Sequence, residues 1–169
     1  MRALHAGEID CFARRLFLSR VAQWLGVYAR DELPDLNHQH RPFALVLNTD
    51  PHDKPGQHWL AMYAPPSGPI ELFDSFGFMP EFYGFDNLNY KYSSLQLQPD
   101  SSNTCGYYCL FFIERRSSNL SFNQVVSLAQ VNGEEGVIHR ISNILNYLNS
   151  THPCHRTGQC SVTKCSFCH

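Results

Sequence analysis

"FALVLNTDPHDKPGQHWLAMYAPPSGPIELFDSF", residues 43 to 76, holds three short apolar runs separated by turn chemistry. The runs are 43–49, 58–64 and 70–76, and the breaks DPHDKPG and PPSGP concentrate Pro, Gly and Asp. Apolar runs this short, bounded by such breaks, read as strands. Their nearly unbroken apolarity predicts a sheet covered by helices on at least one face.

Outward from this block the periodicity changes. Upstream, Ile9, Phe12, Leu16, Val21, Trp24 and Leu25 predict one amphipathic helix over 8–25, followed by a loop over 31–42. Downstream, Tyr90, Tyr92, Leu95 and Leu97 partly alternate with polar residues, which predicts a fourth strand over 90–98. A helix from Cys105 to Arg116 follows, with Asn103 or Thr104 as its cap. Two more helices are predicted near 121–130 and 134–149, the last carrying the stripe Val137, Ile138, Ile141, Ile144, Leu145 and Leu148. Helix, a block of strands, then helices is an α+β order, with a central mixed or antiparallel sheet flanked by helices.

The bulk numbers agree with one globular domain over 1–169: 169 residues, 43% hydrophobic and 17% charged. A Cys- and His-rich polar tail occupies 150–169. A net charge of -2 and a pI near 6.5 give no bulk reason to expect nucleic-acid or membrane-surface binding. No segment approaches the roughly 20 apolar residues of a membrane span. The charged N-terminus lacks an apolar core of signal-peptide length, so the expectation is an intracellular monomer. The cysteine count is seven, an odd number, which argues against a complete disulfide framework.

The chemistry concentrates around SSNTCGYYCLFF, residues 101–112. Cys105 falls at a predicted helix start, where unpaired backbone N–H groups and the helix dipole favour a thiolate. His58 opens one predicted strand and Asp74 lies near the end of the next. If those strands pair as a hairpin, the two become neighbours, giving the imidazole an acidic partner. Gln98, seven residues before Cys105, offers a neutral N–H donor for an oxyanion, with the Cys105 backbone N–H as the natural second donor. Each residue alone has a commoner structural explanation. A Cys before Gly is usually a small core residue, a strand-edge His a hydrogen-bonded one, and a strand-end Asp a turn former. Cys109, one turn on, is assigned to the core.

Order and spacing together are more specific. His58-Trp59, the acid in LFDSFGF, then Gln98 and Cys105-Gly106 resemble the adenovirus maturation protease family, cysteine endopeptidases related to the ubiquitin-like-protein proteases. The stretches FALVLNTDPHDKPGQHWLAMYA, LFDSFGF and TKCSFCH are similar to stretches of the adenoviral enzymes, so the resemblance runs from about residue 40 to the end. It implies His58 as general base, Asp74 as the residue orienting it, Gln98 in the oxyanion hole and Cys105 as nucleophile at the start of a buried helix. It also implies that Trp59 lines the substrate groove. The implied activity is cleavage beside glycine in precursor proteins of a virus or virus-like element, in the host nucleus or the virion. Asp74-Ser75 is closer to the ubiquitin-like-protein proteases, so action on ubiquitin-like modifiers stands as the alternative. A catalytically silent protein-binding relative is a third reading.

The chain departs from the adenoviral pattern in two places, and its tail also carries residue types that ligate metals. The family's activating peptide is disulfide-linked to a cysteine between the acid and the Gln, and no cysteine lies between Asp74 and Gln98. Covalent activation is therefore not carried over, while a noncovalent strand added at a sheet edge stays open. DNA stimulates the adenoviral enzymes, but the charge of -2 gives no support for a DNA cofactor here. Cys165 and Cys168 have half of a zinc-ligand spacing, with Cys154, His155 and Cys160 as candidates for the rest. No clean second pair exists, so no metal site is assigned, and the chemistry itself requires no cofactor.

Overall fold

A computed structural model of the chain describes residues 2–17, 22–85 and 89–151. Helix α1 (Ala6–Phe17) opens where the Glu8 carboxylate accepts the otherwise unpaired His5 N–H at 3.0 Å. The predicted helix over 8–25 is corrected at its C-terminal end, because Gln23–Tyr28 forms strand β1 instead. The physical reason lies in how QWLGVY is buried. Trp24 and Val27 pack into the helix-side core, whereas Leu25 and Tyr28 pack into the core on the opposite face. A two-faced strand can do this and a one-sided helical stripe cannot. The register shifts between Trp24 and Gly26, and Gly26 has φ 132°, a value that glycine adopts without strain.

Strands β2 (Phe43–Asn48), β3 (Trp59–Ala64), β4 (Ile70–Phe73) and β5 (Tyr90–Lys91) complete a five-stranded mixed sheet in the order β1-β2-β3-β4-β5. The outer pairs β1–β2 and β4–β5 are parallel, and the central pairs β2–β3 and β3–β4 are antiparallel. The fold is α+β. Alternation sorts the side chains: Ala44, Val46, Ala61, Tyr63 and Phe73 face the helices, while Phe43, Leu45, Leu47, Leu60, Met62 and Leu72 face the other way. All three described helices contribute to the first set, so they cover one face. Leu33, Leu36, Tyr83 and Phe85, from loops and short 3₁₀ turns, cover the second.

Helix α2 (Cys105–Ser117) is buried all round from Cys105 to Glu114, as expected for a helix apolar on every side. The small faces of Ala44 and Ala61 allow its close approach to the sheet, and Phe112 stacks on Phe73 at 4.6 Å. Helix α3 (Phe122–Thr151) contains both of the last two predicted helices, joined through a non-helical Gly133 at φ 62°, ψ -178°. Val137, Ile141 and Leu145 from the predicted stripe are buried in the helix-side core, with α3 packed on α2.

Two strand predictions shorten. The run 70–76 leaves the ladder after Phe73, because the Asp74 carboxylate accepts the Phe76 and Phe78 N–H groups, each at 2.9 Å, and turns the chain. The run 90–98 pairs only at Tyr90–Lys91. Beyond it, the Leu97 and Gln98 N–H groups both donate to the Ser75 carbonyl, at 2.8 and 2.9 Å, in place of a neighbouring strand. Among the described residues no helix is long and apolar enough to cross a membrane.

Candidate active site

The antiparallel pairing of β3 with β4 sets Ala61 opposite Phe73. His58 directly precedes β3 and Asp74 directly follows β4, so both fall at the same end of the pair. Their side chains meet: His58 Nε2 lies 2.7 Å from Asp74 Oδ1. The backbone leading to His58 is held by Thr49 N–H donating to the His58 carbonyl at 3.0 Å. Just upstream, Gly56 has φ +83°, which favours glycine, and a Cβ there would meet Asn48 Nδ2 at 2.4 Å and have to displace that amide.

Asp74 is fully committed as an acceptor. Oδ1 takes His58 Nε2 and the Phe76 N–H; Oδ2 takes the Phe78 N–H and the Tyr83 hydroxyl, the last at 2.9 Å. Burial alone would raise its pKa, but the His58 hydrogen bond and charge, with the Phe76 N–H and the Tyr83 hydroxyl, hold it below the ordinary carboxylate value. An ionised carboxylate can only accept, so the proton between the two residues belongs to His58 Nε2. Nδ1 is left as the second ring nitrogen, buried and without a hydrogen-bond partner.

Cys105 is the first residue of α2 and is buried. It acts on the His58 ring. Burial pushes the His58 pKa down, but the Asp74 hydrogen bond, then Cys105, then the Asp74 charge outweigh it, and the value is raised to about 9. The ring stays protonated well above its ordinary 6.5. His58 Nδ1 closes no hydrogen bond to the Cys105 sulfur. Phe76 covers the imidazole with ring centroids 4.6 Å apart.

Gln98 is buried 1% exposed, and its amide orientation is fixed by chemistry. The Ser102 carbonyl, which can only accept, lies 2.9 Å from Nε2, and the Ser75 hydroxyl then donates to Oε1 at 2.7 Å. Nε2 carries two hydrogens, so one N–H remains beyond the Ser102 contact. The loop from Gln98 to α2 is tied down again at Glu134, whose Oε1 accepts the Ser102 hydroxyl and, at 2.6 Å, the Thr104 hydroxyl. Thr104 occupies the cap position of α2, but its hydroxyl is spent on Glu134 and makes no side-chain cap.

Gly106 follows from the packing over this helix start. A Cβ there would approach Leu4 Cβ to 3.1 Å and Ile9 Cδ1 to 3.3 Å, so α1 and the segment before it press directly on the first turn of α2. Trp59 donates from Nε1 to the Leu4 carbonyl at 3.1 Å and forms one wall of a surface cleft of about 470 Å³ with Tyr28, Asn48, Asp50 and Gly56. His58 and Cys105 are not in the walls of that cleft. Cys109 is buried, donates its thiol to the Trp59 carbonyl at 3.3 Å, and has its pKa pushed well up by burial.

His58 and Asp74 are thus in contact, Cys105 interacts with the same ring, and Gln98 is joined to the group through Ser75, the chain neighbour of Asp74. Sequence reading missed Ser75, Tyr83 and Glu134. Ser75 had a signal, its place beside the acid; Tyr83 and Glu134 had none, since a turn tyrosine and a helix glutamate are ordinary at the surface. Among the described residues no cluster of three or more His, Cys, Asp or Glu could hold a metal ion. The zinc candidates Cys154, His155, Cys160, Cys165 and Cys168 lie outside the described residues.

Compared with known proteins, the chain matches no protein-family model and no curated protein.

Proposed function

We propose that the protein is a cysteine endopeptidase of the adenovirus-protease type, with Cys105 as nucleophile, His58 as base and acid, Asp74 as the residue orienting His58, and Gln98 in the oxyanion hole. The observation that carries this reading is the buried His58–Asp74 hydrogen bond, which leaves Nδ1 uncommitted while Cys105 raises the pKa of the same ring. A purely structural histidine would be expected to have both nitrogens satisfied.

In the reaction the Cys105 thiolate attacks the peptide carbonyl carbon, and the oxygen takes up the negative charge. The free N–H of Gln98 Nε2 and the Cys105 backbone N–H stabilise it. As the C–N bond breaks, His58 Nδ1–H gives its proton to the leaving amine, and a thioester remains on Cys105. Water then loses a proton to His58 Nδ1 and attacks the thioester; collapse releases the carboxylic acid and the thiolate. Proposed substrates are precursor proteins of a virus or virus-like element, cut beside glycine in the nucleus or virion, with Trp59 bordering the groove.

Asp74-Ser75 favours a second reading, a protease removing ubiquitin-like modifiers, because Ser75 is engaged with Gln98 rather than merely tolerated. The test is labelling with a thiol-reactive probe together with cleavage of Gly-Gly peptides and of folded ubiquitin-like conjugates, for wild type and Cys105→Ala. Probe at Cys105 and cleavage lost in Cys105→Ala support the protease, and the preferred substrate separates the two branches. Labelling of another cysteine with cleavage retained in Cys105→Ala overturns the assignment.

A further inference from the structure

The hydrogen bonds around Gln98 form a two-sided clamp, and each side reaches a different part of the fold. On one side Ser75 holds residues 97 and 98 by three bonds: its carbonyl accepts the Leu97 and Gln98 N–H groups, and its hydroxyl donates to Gln98 Oε1. On the other side Gln98 Nε2 donates to the Ser102 carbonyl, and Glu134 Oε1 accepts the hydroxyls of Ser102 and Thr104. Glu134 directly follows the break at Gly133, whose φ of 62° turns the second half of α3. With φ positive and ψ extended, that backbone is open essentially to glycine alone. One carboxylate oxygen thereby holds both the middle and the end of the loop joining Gln98 to Cys105.

We infer that Ser75 and Glu134 are positioning residues for the oxyanion hole, fixing the direction of the Gln98 N–H from the turn after β4 and from α3 respectively. The inference rests on the protease reading for its catalytic consequence, but the clamp is a property of the Gln98 amide and can be read without hydrolysis. A free glutamine amide rotates about its terminal torsion over a broad, shallow range. Ser75 alone would not settle the amide's orientation, since a hydroxyl both donates and accepts. The Ser102 carbonyl settles it, and Glu134 fixes where that carbonyl sits. Removing Glu134 takes away the acceptor shared by the Ser102 and Thr104 hydroxyls, which are then left only with each other at 2.7 Å, without touching substrate, His58 or Cys105.

The experiment compares Ser75→Ala, Glu134→Ala and Glu134→Gln with wild type, each also in a Gln98→Ala background. Hydrolysis of a Gly-Gly peptide is read beside alkylation of Cys105 by iodoacetamide, a substitution at carbon that develops no oxyanion. The Gln98 side-chain ¹⁵N–¹H signals report the amide directly. Loss of an oxyanion donor costs about 10²–10³ in kcat, so misdirecting one should cost about 10- to 100-fold in Ser75→Ala and Glu134→Ala, with KM within about 2-fold. Alkylation rate and its pH profile should stay as in wild type. Glu134→Gln, whose amide oxygen can still accept both hydroxyls, should recover to within about 3-fold by the same reasoning. In the Gln98→Ala background the second substitution should cost almost nothing.

In wild type the two Gln98 amide protons should be well separated in chemical shift, and in the Ala variants they should move toward the values of a free side chain. Unchanged amide signals overturn the clamp, as does an equal loss of alkylation and hydrolysis, or a full cost retained without Gln98. A wild type that hydrolyses no peptide or conjugate, while its amide signals respond as described, upholds the clamp and removes the protease reading instead.

Discussion

Asp74→Ala tests the role proposed for His58 most directly, and its main effect is predicted to be pH-dependent. The rise of the His58 pKa from 6.5 to about 9 corresponds to ~3 kcal/mol in favour of the imidazolium, since each tenfold step is worth about 1.4 kcal/mol. Burial works against that rise and is the largest single influence, so Asp74 and Cys105 together must supply more than the net figure. With Asp74 removed, burial faces only the Cys105 interaction, and the ring is expected to titrate near or below 6.5. At pH 8 the protonated fraction would drop from roughly 90% to roughly 3%, a loss of about 30-fold in the imidazolium that the protease reading makes the acid for the leaving amine. The assay is kcat/KM for a Gly-Gly peptide from pH 5 to 10. Wild type should decline on the alkaline side near 9, and Asp74→Ala should begin to decline about two pH units or more earlier, on a lower plateau because the ring has also lost its orientation. An alkaline limb still near 9 in the variant would refute this account of Asp74.

Other consequences follow from the same contacts. Tyr83→Phe removes one of the donors to Asp74 Oδ2 and should cost about 1–2 kcal/mol of unfolding free energy, measured in urea, with a several-fold fall in kcat. Gly106→Ala drives a Cβ against Leu4 and Ile9 and should destabilise by about 1–3 kcal/mol, read as a lower Tm. His58 also links stability to pH. Its pKa is raised on folding, so its contribution is complete below about 6.5 and is lost as pH climbs through about 9. Wild type should therefore lose stability relative to His58→Ala across that window in urea titrations. At the C-terminal end of α2, on the helix-covered face of the sheet, Arg116 pairs with buried Glu71 at 2.5 and 3.0 Å and lies 4.5 Å over Tyr63. Arg116→Ala strands that carboxylate and should cost about 3–5 kcal/mol, whereas Arg116→Met with Glu71→Leu should recover most of it.

The strand block was legible because its apolar runs are short and sharply bounded, and the helices after Cys105 because their stripes are long. What the sequence hid was governed by contacts distant in the chain. Trp24 and Leu25 continue the helical spacing of α1, yet they sit in a strand whose two faces meet different cores. That choice depends on β2 lying alongside, which no local window contains. Residues 92–98 look strand-like by alternation, but the Ser75 carbonyl takes two of their N–H groups and ends the ladder. In the site, His58 and Asp74 could be placed together from hairpin geometry alone. Tyr83 and Glu134 could not, since a hydroxyl 9 residues from Asp74 and a carboxylate 30 residues from Thr104 become partners only after the turn and the Gly133 break are in place.

The dipeptide Asp74-Ser75 is where these strands of reasoning meet. Asp74 is bonded to His58 and Ser75 to Gln98, so under the proposed protease reading two adjacent residues in the turn after β4 set both the proton chemistry and the direction of the oxyanion donor. Gly77 keeps this turn tight against the glutamine segment: its φ is +76°, and a Cβ there would sit 2.8 Å from the Leu95 carbonyl carbon. A shift of the 74–77 turn would therefore move the side chains of His58 and Gln98 together relative to Cys105, which is carried separately on α2. Substitutions in this turn should consequently act on acylation as a unit. Paired changes at Asp74 and Ser75 are expected to be strongly non-additive in kcat, while changes paired with Gly106 or Leu4 on the α2 side should combine independently.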